Sequence, residues 1–139
     1  MSWMIFAAII VAGALASFTD WLFMGVLFHD RYMKYPEVWW PGIMNAKGGD
    51  RRAIILSCVI GFLTAAGIVE LCAVTGTSDI KGGLVIALLA WLAGPLAVSV
   101  TNLFWIKTDA MITVMQSLGY LARMVIAGVA GALAMQWSM

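Results

Sequence analysis

The sequence predicts an all-α, polytopic membrane protein built as a four-transmembrane-helix bundle, and three observations carry that prediction. Of the 139 residues 63% are hydrophobic and only 11% charged, with a mean hydropathy of +0.98, whereas soluble domains carry about 25% charged residues. The apolar residues fall in four unbroken runs, each near the ~20 helical residues needed to cross a ~30 Å hydrocarbon layer. Between the runs, Gly, Pro, Asp and basic residues cluster as turn and loop chemistry. In lipid every backbone N–H and C=O must be paired within the structure, which leaves helices or a closed barrel. The runs lack the apolar/polar alternation of barrel strands.

The whole chain, 1–139, reads as a single transmembrane domain. The first span is expected over 3–28, the second over 54–74, the third over 84–106 and the fourth over 115–137. Hydrophobic from Trp3 onward, the N-terminus lacks a basic leading segment, so it reads as a retained first span. The breaks TGTSDIKGG and KTDA are short, which makes their flanking helices antiparallel neighbours. The longer segment 29–53 holds Arg31, Lys34, Lys47, Arg51 and Arg52, and the third break holds Lys107, against Lys81 alone in the second. By the positive-inside rule the first and third loops lie in the cytoplasm and both termini outside, on the periplasmic side. Tyr32, Tyr35, Trp39 and Trp40 interleave with the charges of the first loop. That mixture suits the headgroup layer, as an interfacial anchor or as a surface for docking a partner.

Spans one and three share the order G-x-L-A then S-x-T-[DN], in GALASFTD (Gly13 to Asp20) and GPLAVSVTN (Gly94 to Asn102). A parallel internal repeat would produce such a match. So would chance recurrence of small residues, and the inserted residue in the second copy turns the helix face by about 100°.

Ionisable residues inside a span cost at least ~2.5 kcal/mol at the helix centre, so each calls for a partner or a function. Asp20 and Arg123 stand out because both are expected ~12 Å deep from the cytoplasmic side, at 1.5 Å per residue. Gly13, Ala16 and Ser17 share the Asp20 face, while Gln116, Tyr120, Ala127 and Ala130 share that of Arg123. Small and polar stripes of this kind face other helices. The pair is therefore expected to touch, either to fix helix register or as the polar centre of a ligand site. Asn102, with Ser99 and Thr101, adds a polar patch on span three, so the candidate ligand-binding set is Asp20, Arg123, Asn102, Ser17, Gln116 and Tyr120. Glu70 is expected near the outer interface, within reach of Lys81. Pro95 should kink span three.

Several chemistries find no support. A net charge of +1 without a basic tract sets nucleic acid aside. Cys58 and Cys72 lie about 21 Å apart on one helix, too far for a disulfide, and read as packing residues. A lone His29, with no His/Cys cluster, predicts no metal and no cofactor. Neither a nucleophile elbow, a zinc-protease helix nor a phosphate loop suggests catalysis.

The stretch GVLFHDRYMK (Gly25 to Lys34) resembles the P-L-L-F-G-K-x-W-M-K signature of a small bacterial four-helix family called domain of unknown function 1761. The last run, SLGYLARMVIAGVAGALAMQW, is similar to that family's Gly/Ala-rich final helix. The chain departs at Gly25, where the family has Pro, at His29-Asp30 in place of Gly-Lys, and at Leu121, where His is common. The resemblance implies a multi-pass fold in the inner, cytoplasmic membrane and brings no activity with it.

Two functions follow from the residues. One is a small carrier or channel-like protein handling a small polar, ionic or lipid-like ligand through the polar centre. The other is a non-catalytic structural or assembly subunit of a larger membrane complex. The expected partners are the lipid bilayer and either a second copy or a membrane-complex partner. Small-residue faces around Gly61 and Ala65, or Gly128 and Gly131, are the expected contacts between copies.

Overall fold

In the computed structural model, residues 3–39 and 51–138 are described, and among them the chain is helical with no strand. Trp40 and Lys47 of the first loop lie outside the described residues. The first span comprises α1 (Trp3–Asp20) and a π-helical continuation, Trp21–Leu27. A single turn, α2 (His29–Tyr32), and a 3-10 turn, Pro36–Val38, follow. The second span is α3 (Arg51–Thr75). The third is α4 (Ile80–Trp91), a π turn at Leu92–Leu96, and α5 (Ala97–Trp105). The fourth is α6 (Ala110–Ser138). Four helices of 25, 25, 26 and 29 residues are thus long and apolar enough to cross a membrane.

Each boundary has a local cause. Gly76, at φ 67°, ends α3 in the left-handed conformation. There the Thr77 amide reaches back to Cys72 O at 2.9 Å and the Gly76 amide to Ala73 O at 3.2 Å, the two reciprocal bonds of a glycine-terminated helix. Asp79 caps α4 by accepting from the Gly82 amide at 2.9 Å. Asp109 precedes α6 and accepts from the Met111 amide at 2.8 Å. An aspartate just ahead of an apolar run is the ordinary helix-start signal. It explains why α6 begins at Ala110 and not at 115, and α4 at Ile80 and not at 84.

Pro95 does not break span three. Its missing N–H falls within the π turn, and the helix continues to Trp105. The other π segment contains no proline and starts at the residue after Asp20.

Lipid gives no hydrophobic drive between helices, so packing depends on close approach. The fourth span is the hub, contacting the first, second and third. Gly83 and Gly128 cross backbone to backbone: a Cβ on Gly83 would lie 2.9 Å from the Gly128 carbonyl carbon. Gly131 sits equally close to Cys72 and Val69, and Gly13 lies against the Phe62 ring. Ala12, Ala16, Ala65, Ala87, Ala127 and Ala132 are fully buried. The glycine and alanine faces expected to join separate copies are therefore used inside the bundle, because Gly61, Ala65, Gly128 and Gly131 all face neighbouring helices of the same chain.

The repeat does not extend to environment. Gly13 is buried in regular α-helix, while its counterpart Gly94 lies in the π turn with open space beside it.

Candidate functional site

Asp20 occupies the last α-helical position of the first span, where regular and π-helical geometry meet. π turns inside helices are frequent at functional positions. Facing it from the middle of α6 is Arg123, whose guanidinium is bonded to the Asp20 carboxylate as an ion pair. The Arg123 side chain is 5% exposed and that of Asp20 21%. Close approach is possible because α3 presents Gly61, where even an added Cβ would stand 4.0 Å from the guanidinium carbon. On the open side the guanidinium lies 5.1 Å from the centre of the Tyr120 ring, within cation–π range. Arg123 Nε is buried and has no hydrogen-bond partner among the described residues. Buried donors of this kind are rare, and each calls for an account.

Beside the pair is a cavity of ≈ 50 Å³ lined by Asp20, Phe23, Met24, Met115, Gln116, Gly119, Tyr120 and Arg123. All of these come from the first and fourth spans, so the cavity sits in their joint. Met24 and Tyr120, both partly exposed, border it on the outer face of the bundle.

The segment after the first span packs beside the site through Tyr32. Tyr32 is 3% exposed, and its hydroxyl bonds with the Gln116 side chain. Burial, with a smaller push from Tyr120, raises its pKa to about 12 against the opposing pull of Gln116. Trp39 donates its indole N–H to Tyr32 O at 2.7 Å and packs on the Tyr32 ring. Lys34 holds Asp109 at 2.6 Å, with Arg31 at 3.9 Å, and Lys107 holds Glu37 at 2.9 Å. The Lys34 bond, then the Met111 amide, lowers the Asp109 pKa, and the Lys107 bond lowers that of Glu37. Each lysine is raised in turn by its carboxylate partner. These bridges fix the first and third loops on one side of the bundle.

Of the expected ligand set, the structure brings together Asp20, Arg123, Gln116 and Tyr120 around one cavity. Ser17 lies one turn from Asp20, outside the lining, with its hydroxyl donating to Gly13 O at 2.9 Å. Asn102 is not part of the centre: it is exposed on α5 and absent from the lining, which the first and fourth spans alone supply. Of the docking set, Tyr32 and Trp39 turn inward onto the chain itself, and Tyr35 lies half-buried with Lys107 5.0 Å from its ring centre. Glu70 is half-buried, and among the described residues it makes no ion pair with Lys81.

The sequence reading passed over Asp109, which both caps α6 and anchors Lys34. The signal was present as an aspartate immediately before a long apolar run. Also missed was the bond from Trp91 Nε1 to Ser117 O at 2.8 Å, which ties α4 to α6. Nothing local announces it.

Comparison with curated proteins and with solved structures gave no match. A family profile described as "Protein of unknown function (DUF1761)" matches residues 7–131, from the first span into the last helix. That stretch includes both partners of the ion pair and every residue lining the cavity. With four membrane-spanning helices and this match over most of its length, the chain is a multi-pass membrane protein that belongs to the DUF1761 family.

Proposed function

We propose that the protein is a small carrier or channel-like protein of the cytoplasmic membrane, handling a small polar or ionic ligand at the Asp20–Arg123 centre. One observation carries the reading: a buried ion pair lines a cavity and leaves a buried guanidinium donor without a partner among the described residues. A pair serving only to fix register gains nothing from an adjoining cavity or an orphan donor, each of which costs stability. The basic first and third loops share one face, which the positive-inside rule assigns to the cytoplasm. The cavity lies ~10 Å from that end of the first span, at 1.5 Å per residue. Because it sits at the edge of the bundle, a continuous path across the membrane needs a second copy, joined through faces other than the internal glycine seams.

The assembly-subunit reading draws less support, since Tyr32 and Trp39 are engaged within the chain. The test is reconstitution in liposomes with fluxes of protons, Na⁺, K⁺, Cl⁻ and formate followed in turn. At least one flux is expected to exceed that of protein-free vesicles and to be lost in Asp20→Asn. Equal leak for wild type and variant across all five would overturn the proposal.

A further inference from the structure

The ligand class can be narrowed from charge and volume, an inference that rests on the Asp20–Arg123 cavity being the ligand site. One carboxylate and one guanidinium make a neutral pair in a low-dielectric place. An anion added to that pair would leave a net buried negative charge, and an added cation a net positive one; both are strongly disfavoured. An anion accompanied by one proton on Asp20 leaves the net charge unchanged. Protonated Asp20 releases the guanidinium, and the incoming group takes the position that the Asp20 carboxylate held. Arg123 already donates to a carboxylate there, and the planar fork of a guanidinium fits a carboxylate through two parallel bonds. Nε, without a partner among the described residues, supplies the second donor.

Volume sets the size. A single water needs about 10–15 Å³ of such space, so ≈ 50 Å³ accommodates a group of about three heavy atoms, such as a carboxylate, with any larger body left outside. The edge of the bundle at Met24 and Tyr120 would let an apolar tail remain in lipid.

Among the described residues that line the cavity, no second charged group competes for the proton. Besides Asp20 and Arg123, α6 brings Tyr120 to the cavity, and α2 brings Tyr32 behind Gln116. From α3 the nearest titratable side chain in sequence to Gly61 is Cys58. Glu70 lies more than two turns on, and α4 and α5 carry only Lys81, at the opposite membrane face.

We infer that the cavity binds the carboxylate of a monoanion together with one proton, Arg123 holding the carboxylate and Asp20 the proton. Formate presents that group alone, and decanoate presents it on a lipid-soluble tail. The test titrates purified protein in weakly buffered detergent with each probe, reading bound ligand and proton uptake together.

At least one probe is expected to bind with about one proton taken up per anion. Its affinity should fall about tenfold per pH unit once Asp20 is ionised, as linkage to one proton requires. Whichever probe binds identifies the source as free carboxylate or lipid-soluble acid. Asp20→Asn should bind without proton uptake and without that pH dependence, and Arg123→Gln should not bind. Binding without proton uptake in the wild type, or binding of neither probe, overturns the inference and needs no variant to fold. An Asp20-dependent flux of another solute, with no carboxylate bound, would leave the carrier reading standing while this inference falls.

Discussion

Removing one partner of the Asp20–Arg123 pair is expected to cost far more than removing both. In Asp20→Asn the guanidinium stays 5% exposed with no counter-charge, so the loss should approach the upper part of the ~3–5 kcal/mol range for breaking a buried pair. In Arg123→Gln the stranded carboxylate is 21% exposed and can take up a proton, which places that loss nearer ~3 kcal/mol. The double variant strands no charge, and its cost should fall below the sum of the single losses by at least ~2 kcal/mol. The assay is reversible unfolding in mixed dodecylmaltoside and SDS micelles, followed by tryptophan fluorescence for the wild type, both single variants and the double. A double variant whose cost equals the sum within ~0.5 kcal/mol would refute the argument, since the two groups would then act independently.

Further outcomes follow from the packing and the loops. Gly128→Ala should destabilise the bundle by ~1–3 kcal/mol through overpacking against the Gly83 backbone. Gly67→Ala, which meets nothing within 4 Å, should be neutral or favourable in the same unfolding assay, and equal losses at both positions would refute the seam. Tyr32 is held neutral in the fold, so its contribution is fully present below its ordinary pKa of 10.0 and lost as pH rises through about 12. Absorbance near 295 nm should show a late-titrating phenol that Tyr32→Phe removes. Asp109 and Glu37 are held below their ordinary values of 3.8 and 4.5. Their bridges are therefore complete above those values and weaken as pH falls through the lowered ones, so protease access to residues 29–39 should rise only in acid. Reporter fusions should place both termini on the periplasmic face, opposite the loops carrying Lys34 and Lys107; a cytoplasmic C-terminus would reverse the proposed orientation.

Much of this architecture was legible in the sequence because lipid leaves the backbone so few choices. Four apolar runs had to be helices, and two opposite charges placed within spans had to find each other or remain costly. Asp20 and Arg123 could thus be paired from depth and sign alone, although α6 begins earlier than its apolar run suggests and projects past the end of the first span. Asn102 could not be placed correctly, since residue spacing does not reveal which spans meet, and the cavity is lined by the first and fourth alone. The glycine seams were legible as close-packing faces but not as to their partner: Gly128 meets Gly83 of the same chain, and a small-residue stripe looks the same whether its neighbour is another span or another copy. Tyr32 and Trp39 looked like interfacial anchors because aromatic and basic residues together suit a headgroup layer. Only the tertiary structure turned them inward, where the Gln116 side chain and the Tyr32 carbonyl offered hydrogen-bond partners from distant or folded-back backbone. Spans and intramembrane charges follow from the solvent, which the sequence faces residue by residue. The cavity and its orphan donor depend on which helices meet, and that is decided by close packing between residues far apart in the chain.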